Sequence, residues 1–177
     1  ERVCGRGEVD ESVLGYGFGR NVVLDRAEGV YAREQTERGY RSMVLENEFL
    51  RVRWLPELGG RLISLTDKAS GRDRLYQNKT LCAGNLAMRN SWFSGGVEWN
   101  ASIIGHNPFT CSPLFAARTQ LADGTPVLRM YEYERLRGVS FQMDFFLPDG
   151  SRVLFARMRL VNENAQTVPT YWWSNIA

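Results

Sequence analysis

The chain has 177 residues, 44% of them hydrophobic, and a formal net charge of +2. That length supports one domain with a buried core, and no apolar run is long enough to span a bilayer as a helix. The arginines are interspersed with acids, not gathered into the continuous basic stripe of a nucleic-acid binder, so nucleic acid and membrane are both set aside as partners. Residues 1–39 read as an N-terminal arm of irregular or short strand structure, and residues 40–177 as the body of a β domain. The arm opens on ERVCGRGEVDE, which lacks an initiator methionine and an apolar signal core. It therefore reads as a piece cut from a longer protein, with a cytoplasmic location expected. Gly15, Gly17 and Gly19 stand close together, but no strand-helix unit follows to seat a dinucleotide. Residues 24–34 are the best helix candidate, yet Gly29 and Val30 sit in the middle and no apolar stripe recurs at 3.6-residue spacing.

Strand periodicity governs the rest. Leu50, Val52 and Trp54 alternate with arginines, and Leu62, Ser64 and Thr66 alternate again after Pro56-Glu57-Leu58-Gly59-Gly60, which predicts a hairpin with those two sets facing one side. A turn at Asp123-Gly124 precedes a strand over 127–136, in which Leu128 and Met130 alternate with Arg129, Tyr131 and Tyr133. Val139, Phe141, Met143, Phe145 and Leu147 share one face of the next strand, with Ser140, Gln142 and Asp144 on the other. Pro148-Asp149-Gly150 then turns the chain into a partner strand carrying Leu154, Ala156, Met158 and Leu160 on one face and Arg157 and Arg159 on the other. A last strand holds Tyr171, Trp172 and Trp173, and Asn175 falls on the side of Trp173. Short strands every ten to fifteen residues, divided by turn residues, predict an all-β fold, an antiparallel β-sandwich.

The chemistry gathers at residues 92–107, WFSGGVEWNASIIGHN, where two tryptophans, an acid, amides and the chain's single histidine surround a glycine pair. Indole faces stack on the apolar side of a pyranose, carboxylates and amides bond its hydroxyls, and Gly95 and Gly96 would let backbone approach a ligand. The same residues also suit a plain interstrand loop with tryptophans in the core. Glu98, Asn100 and His106 are too loosely spaced to argue for a metal, and no cofactor is expected. Cys4, Cys82 and Cys111 fit neither a zinc knuckle nor an even disulfide framework, so free thiols in a reducing compartment are expected.

Several blocks, in order, carry a family resemblance. They are YRSMVLENEFLRVRWLPELGGRLISLTDKASGRDRLYQN at 40–78, Asn85-Leu86-Ala87-Met88-Arg89 leading to Trp92-Phe93-Ser94-Gly95-Gly96-Val97-Glu98-Trp99-Asn100, Glu134-Arg135 with Gly138, and Tyr171-Trp172-Trp173-Ser174-Asn175. Together they resemble an uncharacterised bacterial domain family of the galactose-mutarotase-like (aldose 1-epimerase-like) superfamily, often fused ahead of tetratricopeptide repeats. The resemblance implies part of a galactose-mutarotase-like supersandwich whose concave face binds carbohydrate. It also implies that the chain matches the N-terminal portion of such a domain, so that late strands, and with them the late carboxylate base of the epimerases, lie beyond Ala177. Self-association, or completion by missing C-terminal strands, is expected in consequence.

Carbohydrate is thus the expected partner, bound and, in the enzyme reading, acted on at a glycosidic or hemiacetal centre. Glu98 and His106 are the candidate catalytic residues. Arg61, Arg89, Trp92, Trp99, Asn100, Asn107, Trp173 and Asn175 are the candidate sugar-binding residues, with structural pairing of Arg61 to Glu57 or Asp67 as the competing role of that guanidinium. Three functions follow: a carbohydrate-active enzyme domain such as a glycoside hydrolase or aldose epimerase, a non-catalytic carbohydrate-binding module, or a structural β-platform for a neighbouring repeat domain. Convergence of Glu98 and His106 in an open groove favours the first two; burial of both with internal pairing favours the third.

Overall fold

The computed structural model of the protein describes residues 2–3, 34–87, 91–101, 105–135 and 137–177. The rejected helix candidate at 24–34 and the glycine cluster at 15–19 fall almost wholly outside the described residues. Among the described residues the fold is nearly all β, with 46% of them in strands and antiparallel sheets arranged as a sandwich. The period-2 alternation of the sequence is what produces this, because each strand has one apolar face to bury.

A short ladder pairs β1 (Arg2–Val3) with β2 (Thr36–Glu37). The first large sheet contains β3 (Met43–Glu46), β4 (Leu50–Leu55), β5 (Arg61–Asp67), β6 (Arg72–Asp73), β7 (Val97–Ala101) and β12 (Trp172–Ile176). Its order is β12-β7-β5-β4-β3, with β6 on β5. The second sheet contains β8 (Phe115–Gln120), β9 (Pro126–Glu134), β10 (Val139–Phe146) and β11 (Phe155–Asn162), in the order β11-β10-β9-β8. Between the sheets lies the main core, built from Val52, Trp54, Leu62, Val97 and Trp99 on one side and Leu128, Met130, Phe141, Met143 and Phe145 on the other. Phe145 joins the layers, its ring 5.1 Å from that of Trp54 and 5.0 Å from that of Trp99. A smaller apolar cluster of Leu55, Leu58, Ile63, Leu81, Ala83 and Phe93 covers the outer face of the first sheet.

The hairpin joining β10 and β11 forms as its alternation predicts, with Phe141 opposite Leu160 and Met143 opposite Met158. The β4–β5 hairpin also forms, but the predicted single-sided set of Leu62, Ser64 and Thr66 does not. The register shifts at Arg53/Trp54, so that Arg53 pairs with Ser64 and Trp54 with Leu62. This bulge keeps Leu62 and Leu65 on the core side while Ser64, bonded to Thr66 and Asp73, faces away. The expectation of three free thiols is likewise corrected: Cys82 is disulfide-bonded and Cys111 is free.

Asp144 departs from the simple picture of a polar outer face. It lies on the outward side of the second sheet yet is fully buried, because Arg129 Nε and Nη2 (2.7 and 2.9 Å) and Arg157 Nη2 (2.7 Å) close over it from the two neighbouring strands. Burial alone would push the carboxyl upward, but the two guanidiniums outweigh it and hold Asp144 below the ordinary carboxylate value. A depressed folded-state pKa contributes stability above the unfolded value, about 3.9, and that contribution is lost as pH falls through the folded value. Asp144→Asn is therefore expected to flatten the fall in melting temperature below about pH 4. Thermal melts of both proteins from neutral to acid pH check this, and parallel curves would remove Asp144 from the acid transition.

Candidate functional site

The site is assembled on the outer face of the first sheet by alternation in β7. Val97, Trp99 and Ala101 point into the main core, so Glu98 and Asn100 must point the other way. Strand β12 lies antiparallel alongside, with Asn175 opposite Glu98 and Trp173 opposite Asn100. Arg61, at the start of β5, reaches the same face, and the segment from Gly105 through the 3-10 turn Pro108–Cys111 folds over it.

Glu98 is the hub, 2% exposed and ringed by donors. Its Oε1 accepts from Thr110 Oγ1 at 2.8 Å and lies 3.7 Å from Arg61 Nη2. Its Oε2 accepts from Asn175 Nδ2 at 2.8 Å and Asn100 Nδ2 at 3.3 Å, and stands 2.8 Å from His106 Nδ1. A carboxylate oxygen only accepts, so His106 carries its proton on Nδ1. Asn175 Nδ2, though 3.1 Å from that nitrogen, then faces a donor with its own donor and spends its proton on Glu98. In this tautomer Nε2 is the acceptor of the ring. The indole of Trp173 meets the imidazole edge-on at 5.1 Å and donates from Nε1 to Gly105 O at 3.0 Å.

Arg61 is the buried counter-charge. Its Nη1 donates to Phe93 O (3.1 Å) and Gly95 O (2.9 Å), its Nη2 to Thr110 Oγ1 (3.1 Å), and its guanidinium lies 3.6 Å over the Phe93 ring and 5.7 Å from that of Trp92. Its Nε has no hydrogen-bond partner among the described residues. Burial pushes its pKa down to about 10, with Glu98 and Cys111 pulling it back up, so it remains charged at neutral pH. Neither competing partner expected from the sequence is used: Glu57 bonds Arg41, and Asp67 pairs with Arg74.

The structure therefore brings Glu98, His106, Asn100, Asn175, Arg61 and Trp173 together, with Trp92 at the edge of the group. It sends Trp99 to the opposite face, where Nε1 donates to Gly60 O at 3.0 Å and the ring stacks on Trp172 at 6.0 Å. Asn107 acts as a loop cap, accepting from Phe109 N (2.9 Å) and donating to Trp99 O (3.0 Å). Arg89 lies outside the described residues. Thr110, which bonds both Glu98 and Arg61, escaped the sequence reading because nothing in its neighbourhood marks it. The glycine pair also has a different use from the one expected. A Cβ on Gly96 (φ +68) would stand 2.1 Å from Leu62 O, so the missing side chain admits the neighbouring strand β5. Among the described residues no cluster of three or more His, Cys, Asp or Glu side chains could hold a metal ion. No helix among them is long and apolar enough to cross a membrane.

The fold has a solved counterpart. The crystal structure of a TPR-domain containing protein from Parabacteroides distasonis superposes with a TM-score of 0.73 and 27% sequence identity, over 82% of this chain. The match spans 25% of that protein, so this chain corresponds to a quarter of its length. Residues 27–177 match the family described as Domain of unknown function (DUF5107), and the chain belongs to that family.

Proposed function

We propose that this domain recognises carbohydrate on the outer face of its six-stranded sheet, as a member of the galactose-mutarotase-like superfamily that its sequence resembles. The observation that carries the reading is the held imidazole. Glu98 fixes His106 through Nδ1, which leaves Nε2 to accept a sugar hydroxyl, while Asn175, Asn100 and the indole of Trp173 lie on the same wall. Glu98 in this reading positions His106 and does not touch the ligand, because its oxygens are already engaged by protein donors. Any proton transfer at a glycosidic or hemiacetal centre would run through Nε2.

The structural β-platform is the second reading, and the arrangement that the sequence reading sets as deciding for it is the one observed: Glu98 and His106 are both buried and paired with each other. That the solved counterpart is a TPR-domain containing protein is consistent with a domain placed beside repeats. Binding separates the two. A glycan panel screened by calorimetry should yield a ligand whose affinity falls on the order of tenfold or more in His106→Gln, the loss of one buried hydrogen bond to a sugar hydroxyl. Thermal stability should change little. No ligand across the panel, or equal affinity in the variant, would leave the platform; turnover of a bound reducing sugar or glycoside would add catalysis to recognition.

A further inference from the structure

Most hydrogen-bonding atoms around Glu98 are already committed within the protein. Both carboxylate oxygens accept from side-chain donors, Asn100 donates to Glu98 and accepts from Asn107 N at 2.6 Å, and the Trp173 indole is held by Gly105 O. Two atoms differ. Among the described residues His106 Nε2 and Asn175 Oδ1 have no hydrogen-bond partner, and neither is sealed in, since the buried side-chain atoms left unpartnered are Trp54 Nε1 and Arg61 Nε.

Chemistry fixes what both atoms are. A carboxylate only accepts, so the branch of the Asn175 amide that meets Glu98 Oε2 at 2.8 Å is its nitrogen, and the other branch is its oxygen. The same carboxylate takes the Nδ1 proton of His106, which leaves Nε2 as the acceptor of that ring. Both uncommitted atoms are therefore acceptors. They belong to groups in contact, with Asn175 Nδ2 lying 3.1 Å from His106 Nδ1. A ligand that satisfies the pair must donate twice from neighbouring positions, as two adjacent hydroxyls of a sugar ring can.

Charge points the same way. Glu98 is matched by Arg61 at 3.7 Å, and Arg61 cannot turn outward to a ligand. Its Nη1 is held by Phe93 O and Gly95 O, its Nη2 by Thr110 Oγ1, and the Phe93 ring lies 3.6 Å from its guanidinium. A carboxylate, sulfate or phosphate set against His106 and Asn175 would bring acceptors to acceptors, with the Glu98 charge behind them and no guanidinium to fork onto. We propose that the site takes two neighbouring hydroxyls of an uncharged sugar ring, one donating to His106 Nε2 and the other to Asn175 Oδ1, and turns away an anionic group at either position. This rests on the carbohydrate reading and adds to it a second contact and a ligand class.

Calorimetry of the whole 177-residue chain with neutral oligosaccharides of glucose, galactose and mannose supplies the parent ligand. Derivatives with one hydroxyl at a time replaced by fluorine, which cannot donate, then map the contacts on the wild-type protein. Two adjacent positions should each lose affinity on the order of tenfold or more while the others change little, and sulfation at either should abolish binding. Asn175→Ala should lose a similar factor and become indifferent to fluorine at one of those positions while still responding at the other. If none of these oligosaccharides binds, this proposal falls together with the carbohydrate reading. A glycan whose fluorinated derivatives all match the parent, or whose sulfated form binds more tightly, would overturn the paired-hydroxyl contact alone. So would an Asn175→Ala protein that responds to every derivative as the wild type does.

Discussion

Glu98→Ala is expected to lower the unfolding free energy by about 3 to 5 kcal/mol, the cost of breaking a buried ion pair from one side. The loss extends beyond one contact. Arg61, itself fully buried and charged at neutral pH, would lose its only carboxylate partner among the described residues, and Thr110, Asn175, Asn100 and His106 would each lose an acceptor. A charge left unpaired in the interior is costlier than the pair was favourable, so replacing both ends should recover part of the loss. The double variant Arg61→Met with Glu98→Leu is accordingly expected to be more stable than Glu98→Ala alone. Urea denaturation of the three proteins measures this. A Glu98→Ala penalty below about 1 kcal/mol would mean that the carboxylate is solvated and that the network is not the keystone of this face.

Gly96→Ala is expected to be nearly as damaging for a different reason. Its φ of +68 is strained for any residue with a side chain, and the new Cβ would fall 2.1 Å from Leu62 O and 3.1 Å from Ile63 Cα, both backbone atoms of β5. Backbone in a ladder cannot rotate aside as a side chain can, so β5 and β7 would have to separate. The expected penalty exceeds about 3 kcal/mol, a fall in melting temperature on the order of 10 °C for a chain of this size. Gly124 provides the control: its φ is +88, but an added Cβ would meet nothing within 4 Å. Gly124→Ala should therefore cost only the conformational strain, about 1 to 2 kcal/mol. Equal melting temperatures for the two variants would show that strand contact is not what demands glycine at position 96.

Alternation made much of this fold legible. In β10, Val139 through Phe145 announce their core face by period alone, and a Pro-Asp-Gly turn leaves few registers for β11. Trp99 was equally open to that reasoning, since Val97, Trp99 and Ala101 must oppose Glu98 and Asn100 in a strand. The glycine pair makes residues 92–107 read either as a ligand loop or as an interstrand loop with tryptophans in the core, and for Trp99 the second holds. Other features have no local signature. The bulge that moves Ser64 away from Leu62 depends on how β4 twists against β5. The burial of Asp144 depends on arginines from two other strands, 15 and 13 residues away. Likewise the partner of Arg61 is Glu98 rather than the nearby Glu57 or Asp67, because sheet order brings β5 beside β7. Polar residues on an alternating strand show which face they occupy, and only the neighbouring strands determine whom they meet.

In the proposed function Glu98 holds His106 with its Nε2 offered to a sugar. His106 is the single histidine of the chain, so its ring nitrogens can be observed without ambiguity. Long-range proton–nitrogen correlation spectra, recorded at neutral pH while glycans are titrated in, test the claim directly. The expected spectrum shows a ring protonated at Nδ1 whose Nε2 resonance moves as the ligand saturates. A ring protonated at Nε2, or an Nε2 resonance that no glycan perturbs, would contradict it.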